Sequence, residues 1–339
     1  MLLPFALTAT HDKISSRIGS DFGRFDFTGL FEKLKCFDFL ASRGKVFTMT
    51  RRKFIKSATL AAAASPLLSK TARAESTPPT KLKGHINHSV CRWCYKNIKL
   101  DDLCAAGKEM GLVAIDLLNP PEFETARKHG LICSMVSFPT IDGLGGITRA
   151  FNRVEHHDKL VSAYTQRLQE TADAGYERLI CFSGNRAGLD DEKGLENCAA
   201  GLKKILPLAE KSKVTLCMEL LNSKRTHKDY QCDHVAWGVQ LVKRISSERF
   251  KLLYDIYHMQ IMDGDVCDSI KENHEYFDHY HTGGVPGRAE IDETQELNWP
   301  RVMQAIVATG YKGYVAQEFV PKRPDALASL RQGVNLCDV

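Results

Sequence analysis

The sequence predicts a single closed (β/α)8 barrel over residues 85–339, and three observations predict it. From Lys83 onward, short apolar runs of β type alternate eight times with longer stretches of helical period. Such alternation demands parallel strands, since each helix is the crossover that carries the chain back to start the next strand. About 265 residues follow a leader that ends near Ala74, close to the roughly 250 of a typical eight-fold barrel. The competing doubly wound open sheet lacks its signature, because no strand candidate runs into a Gly-x-Gly-x-x-Gly turn.

The strand candidates, in order, are Ile86–Val90, Val113–Leu117, Leu131–Val136, Arg178–Phe182, Val214–Glu219, Lys251–Asp255, Phe277–His281 and Gly313–Glu318. The helical stretches between and after them are Asp101–Met110, Glu122–His129, Phe151–Gly175, Glu192–Lys211, His234–Ile245, Val266–Glu275, Trp299–Thr309 and Asp325–Gln332. Gly111, Gly130, Gly175 and Gly310 fall near helix ends, where a left-handed cap favours a residue without Cβ.

Upstream of the barrel, Thr50-Arg51-Arg52-Lys53-Phe54-Ile55-Lys56 precedes the apolar run Ala58–Leu68 and then Ala72-Arg73-Ala74. A basic segment, a short apolar segment and a small-x-small site are the three parts of a secretory signal. The paired arginines resemble the twin-arginine type, which implies the twin-arginine translocation machinery as a partner, cleavage after Ala74 and a periplasmic product. The apolar run is too short to anchor the chain in a bilayer, so an integral membrane protein is not expected. Residues 49–74 are thus the expected leader and 75–84 a linker. Residues 1–48 form an upstream extension with no sustained period, expected to be non-native or disordered, and Met49 is a candidate start.

The net charge of +5 is small for 339 residues and comes partly from the leader, so nucleic acid is not an expected partner. Eleven cysteines at irregular spacing, several inside apolar runs, read as buried free thiols rather than a disulfide framework. Cys91-Arg-Trp-Cys94 is the one pair with redox or zinc spacing, and no second pair accompanies it.

In such a barrel the chemistry sits at the C-terminal ends of the strands. Strand candidate five ends in Glu219, six in Asp255, seven in His281 and eight in Glu318, so four potential ligands end four successive strands. Taken singly, each has a plainer role: Asp255 as a helix cap, His281 as a core histidine, either glutamate as a surface ion-pair partner. Together, three carboxylates and an imidazole on one rim would repel in a dry pocket unless a cation neutralised them. A divalent ion is the simplest solution, and the donor set suits Mn²⁺, Mg²⁺ or Co²⁺.

The segments Tyr254-Asp-Ile-Tyr-His-Met-Gln-Ile-Met-Asp-Gly-Asp265 and Gly284-Val-Pro-Gly-Arg288 carry a further inference. The chain resembles the hydroxypyruvate isomerase family within the xylose-isomerase-like barrel superfamily, over nearly all of residues 85–339. It is also similar to sugar epimerases of the tagatose 3-epimerase type. By that resemblance Glu219, Asp255, His281 and Glu318 correspond to the metal ligands, and His258 and Arg288 to substrate-binding residues. Hydroxypyruvate isomerases often carry Gln where this chain has His281, which leaves the substrate between a short keto acid and a ketose. Export is a second departure, since familiar members act on cytoplasmic metabolites.

The chemistry expected of these parts is proton transfer between adjacent carbons of an α-hydroxy carbonyl compound by way of an enediolate. Glu219 and Glu318 would work from opposite faces as the catalytic acid–base pair. Arg288 could hold a carboxylate or two sugar oxygens in its planar fork, and His258 could stabilise developing negative charge. Trp93 and Arg186 are weaker candidates for the pocket wall. Isomerisation is the leading expectation and ketose 3-epimerisation the alternative. From other classes come an endonuclease IV-like phosphodiesterase, which needs clustered metals and a basic groove, and a non-catalytic sugar-binding barrel. A homo-oligomer is possible on this reading.

Overall fold

Residues 81–339 are described by the computed structural model; the expected upstream extension, leader and cleavage site lie outside them. Among these residues eight parallel strands form where the apolar runs fall. They are β1 (Asn87–Val90), β2 (Ala114–Ile115), β3 (Ile132–Cys133), β4 (Arg178–Cys181), β5 (Thr215–Glu219), β6 (Phe250–Asp255), β7 (Phe277–Thr282) and β8 (Tyr314–Gln317). One ladder runs β1-β8-β7-β6-β5-β4, and β2 pairs with β3. Single bridges complete the ring: Cys91 with Asp116 ties β1 to β2, and Val136 with Leu179 ties β3 to β4. Every pairing is parallel, as a barrel of alternating strands and helices requires.

Among the described residues ten α-helices surround the ring: α1 (Leu100–Met110), α2 (Phe123–Lys128), α3 (His157–Asp173), α4 (Asp191–Lys203), α5 (Leu206–Ser212), α6 (Val235–Ile245), α7 (Ile256–Met262), α8 (Val266–Asn273), α9 (Trp299–Ala308) and α10 (Ala326–Cys337). The stretch expected as one helix over 192–211 is two. Pro207 sits in the first turn of α5, and in a continuous helix its ring would clash with the carbonyl four residues back, so the helix restarts there. The expected start of α3 at Phe151 moves to His157, because Phe151 and Asn152 are buried in an irregular turn ahead of it. The short α7 was not expected at all. It starts on Asp255, whose carboxylate accepts the His258 backbone N–H at 3.1 Å.

Gly111, Gly130, Gly175 and Gly310 all take left-handed conformations as expected, with φ of 90°, 66°, 75° and 80°. The ten cysteines among the described residues are all free, and eight are buried. No described helix is long and apolar enough to cross a membrane.

Side chains two apart on a strand share one face. On β7 this puts His279 and His281 together, and on β6 it puts Leu253 with Asp255. The β6–β7 register places Asp255 opposite His281, and Glu219 lies opposite Leu253. Strand pairing alone therefore gathers the functional candidates onto one rim.

The first described residues are clasped to the last. The Lys83 backbone N–H donates to both Asp338 carboxylate oxygens at 3.1 and 2.9 Å, and Lys83 Nζ donates to the Asp338 carbonyl at 3.1 Å. His85 Nδ1 lies 2.7 Å from a Val339 backbone oxygen. His88, fully buried on β1, faces Asp338 at 3.7 Å.

Candidate active site

Glu219, Asp255, His281 and Glu318 stand at the C-terminal ends of β5 to β8, each no more than 5% exposed. Each offers one ligand atom, and the four atoms all lie within 4.8 Å of one another. His281 Nδ1 is 3.3 Å from Glu219 Oε1 and 2.5 Å from Glu318 Oε2. Neither approach is aligned as a hydrogen bond: His281 Nδ1 and Glu219 Oε1 are both buried polar atoms without a partner. A buried orphan is costly unless something meets it. Two such atoms turned toward the same few ångströms, with carboxylates beside them, fit a cation bound by oxygen and nitrogen donors.

The charges lead to the same conclusion. Three buried carboxylates face one fixed cation, Arg288, whose Nη2 donates to Asp255 Oδ2 at 2.7 Å and also reaches Glu318 Oε2. With His281 neutral, as an ion-binding imidazole must be, two negative charges are left over when all three acids are ionised, and a divalent ion would neutralise them. Without full compensation the acids respond by shifting. Burial, together with the Glu318 charge, raises the Glu219 carboxyl above its ordinary range. Burial pushes Asp255 up to about 7 even with Arg288 pulling the other way. In Glu318 the burial penalty is overcome by Arg288 and His281, so its carboxyl lies well below the usual range.

Arg288 reaches the cluster from the loop after β7. Its guanidinium lies over the rings of Tyr257 at 4.9 Å and Trp93 at 5.7 Å, and its Nε donates to the Glu318 carbonyl at 3.0 Å. The loop turns on Gly284, where a Cβ would lie 2.4 Å from the Glu290 carbonyl oxygen and 2.8 Å from that of Ala289. Only glycine allows so close a backbone approach.

His258, in the first turn of α7, packs fully buried against Arg288 Nη1. Its Nδ1 accepts the Asn222 backbone N–H at 3.0 Å and the Asn222 side-chain amide at 2.6 Å. Nδ1 is therefore an acceptor, while Arg288 Nη1, which can only donate, faces Nε2, so donors meet the ring on both sides. Burial and the neighbouring Arg288 charge hold the ring well below its ordinary range, and so neutral.

A cavity of about 580 Å³ opens over this cluster. Glu219, His258, Arg288 and Glu318 form its polar end, and Leu117, Phe138, Ile147 and Phe182 line the apolar wall opposite. The structure brings all six expected site residues together. Of the two weaker candidates, Trp93 lines the cavity and donates its indole N–H to Glu318 Oε1 at 2.6 Å. Arg186 does not line it: it is engaged by Asp191 and Asp233. The sequence reading missed Asn222, His227 on the cavity wall, and Asp116, which lies 2.8 Å behind His281.

Comparison with known proteins fits this geometry. Residues 124–336 match the family described as "Xylose isomerase-like TIM barrel". A putative hydroxypyruvate isomerase of Homo sapiens is 33% identical over 115 residues, which make up 34% of this chain and 41% of that protein. A D-psicose 3-epimerase of Ruminiclostridium cellulolyticum is 29% identical over 133 residues, 38% of this chain and 42% of that one. The chain thus spans about two fifths of the length of these curated relatives. Among solved structures, an AP endonuclease of family 2 from Brucella melitensis superposes with a TM-score of 0.65 at 22% identity, covering 72% of this chain and 97% of that one, a likeness of fold. With the ring of strands, the rim of acids and the family match over more than half its length, this chain belongs to the xylose isomerase-like TIM barrel family.

Proposed function

We propose that this chain is a metal-dependent isomerase that moves a proton between adjacent carbons of an α-hydroxy carbonyl substrate by way of an enediolate. The observation that carries the reading is the convergence of Glu219 and Glu318, from β5 and β8, on one volume at the polar end of the cavity. Two carboxylates so placed can serve one as base and the other as acid, taking the proton from one carbon and returning it to the next. His258 and the Arg288 fork line the same end of the cavity, where they would orient substrate oxygens and the guanidinium would meet developing negative charge. Glu219, Asp255, His281 and Glu318 are the residues that would hold a divalent ion, Mn²⁺, Mg²⁺ or Co²⁺, and such an ion acidifies a C–H next to a carbonyl. The human relative described as a putative hydroxypyruvate isomerase supports the reaction class.

A second reading, 3-epimerisation of a ketose, is favoured by the cavity. A volume of about 580 Å³ is far more than a three-carbon keto acid fills and lies within the range of pockets that hold larger small molecules. A ketose of five or six carbons would extend from the acids along the apolar wall, and the resemblance to a D-psicose 3-epimerase is in keeping with this. A phosphodiesterase is disfavoured, since the cavity is mostly apolar in its lining, whereas a nucleic-acid backbone calls for a basic groove. The Arg51-Arg52 leader supports placing the activity outside the cytoplasm.

The test is incubation of the purified protein with Mn²⁺ in D₂O and a panel of aldoses, ketoses and hydroxypyruvate. Deuterium uptake at a carbon next to the carbonyl identifies both substrate and chemistry, and inversion at that carbon separates epimerisation from isomerisation. Glu219→Gln and Glu318→Gln should each abolish uptake; full exchange in either variant removes that residue from the acid–base pair.

A further inference from the structure

Asp116 is a fully buried carboxylate just past β2, in the barrel interior, and none of the chemistry above uses it. A carboxylate in such a place survives as an ion only if donors surround it. Here they do. Oδ2 accepts from His281 Nε2 at 2.8 Å and lies 3.5 Å from Cys91 Sγ. Oδ1 accepts from the Ser134 hydroxyl and lies 3.1 Å from His279 Nε2.

An ionised carboxylate is an acceptor only. Facing Nε2 of His281, it requires that nitrogen to carry a proton, so the lone pair available to a cation must come from Nδ1. That is the nitrogen turned toward Glu219 and Glu318 and left without an aligned partner. We propose that Asp116 is a positioning residue that fixes the tautomer and ring orientation of His281, so that Nδ1 completes the donor set with Glu219, Asp255 and Glu318. Ser134 and His279 steady Asp116 in turn. This rests on the reading of those four residues as a cation site. Asp116, His279 and His281 could also be grouped as a second ion site. The hydrogen bond from Nε2 to Oδ2 argues against it, because a nitrogen that donates a proton to Asp116 has no lone pair for a metal.

The experiment is a pair of measurements on the full protein with Zn²⁺ alone and Co²⁺ alone. In long-range ¹H–¹⁵N correlation spectra of the Zn²⁺-loaded, histidine-labelled chain, His281 should show a protonated Nε2 and an unprotonated Nδ1. A proton on Nδ1 instead overturns the proposal, and this arm needs no variant. In Co²⁺ titrations the wild type should bind one ion, whereas binding of two at the cluster overturns it in favour of the second site. Asp116→Asn, which keeps the shape but offers an N–H₂ in place of one oxygen, should weaken Co²⁺ binding roughly 10- to 100-fold and alter its visible absorption. Its melting temperature without added ions should stay close to wild type. Wild-type affinity and an unchanged spectrum in a folded Asp116→Asn overturn the assignment. If the wild type binds no ion at all, the cation-site reading fails; the His281 ring-proton signals of the unloaded protein, which should collapse at Nε2 in Asp116→Asn and overturn the pairing if they do not, judge Asp116 separately.

Discussion

Replacing Arg288 by Met tests the electrostatics of the site without reference to any substrate. The methionine keeps much of the apolar stem while removing the charge that faces Asp255 and Glu318. Both acids are nearly inaccessible to water, so the loss resembles breaking a buried pair, which costs about 3–5 kcal/mol. For a domain of this size that is a fall of about 6–20 °C in melting temperature. The fall should depend on pH. Asp255 already titrates at about 7 in the folded protein, well above the unfolded value, so its contribution to stability is present at low pH and lost as pH rises through 7. Removing Arg288 raises that carboxyl further, and at pH 6 a proton takes the place of the missing cation. The deficit should therefore be smaller at pH 6 than at pH 8.5. Added Mn²⁺ should restore stability, by about 2.7 kcal/mol at one hundred times its dissociation constant. The assay is thermal melting of chelated and Mn²⁺-supplied protein at both pH values. A chelated Arg288→Met chain that melts within 2 °C (about 1 kcal/mol) of wild type at pH 8.5 would refute the claim that the three acids are ionised and held by this guanidinium.

Two other predictions follow from single residues. His88 is lowered to about 4 by burial, against the pull of Asp338, so it stays neutral when folded but takes up a proton near 6.5 when unfolded. Stability is then full above pH 6.5 and lost as pH falls toward 4, by about 3 kcal/mol; urea titrations at pH 7 and 4.5 should show this in wild type and much less of it in His88→Leu, and equal losses in the two chains would contradict it. Gly284→Ala forces a Cβ into the Glu290 and Ala289 carbonyl oxygens, so the Arg288 loop must shift. A cost of about 1–3 kcal/mol is expected, with KM for the substrate found by deuterium exchange rising at least about tenfold while the barrel still folds by circular dichroism; an unchanged KM would mean that Arg288 is not held by this turn.

The barrel was legible because its strands are apolar runs short enough to be told from helices, and because glycines mark several helix ends. The site was legible for a narrower reason: Glu219, Asp255, His281 and Glu318 are polar residues at the ends of apolar runs, where the ring geometry must collect them. Asp116 escaped because it lies one residue inside the expected end of strand two, and attention to strand tips passes over it. The signal was there, since a lone aspartate within Val113-Ala-Ile-Asp-Leu-Leu118 must be buried and must find donors, and His279-x-His281 offers them on a single face. Asn222 and His227 lie in the loop after β5, whose path depends on packing against α7, and α7 itself has no apolar period to announce it. The break at Pro207 could have been read directly from the residue.

The clasp between Lys83, His85 and the last two residues has a bearing on how the molecule is made. Asn87 pairs with Tyr314, and Lys83 with Asp338 across 255 positions, so the ring cannot shut while its final strand and helix are still inside the ribosome. Until then the edge of β1 is an exposed template, open to mispairing and to chaperones. Closure waits on the segment around Asp338, and a change there acts on the seam itself, far along the chain from the strand it would leave unguarded.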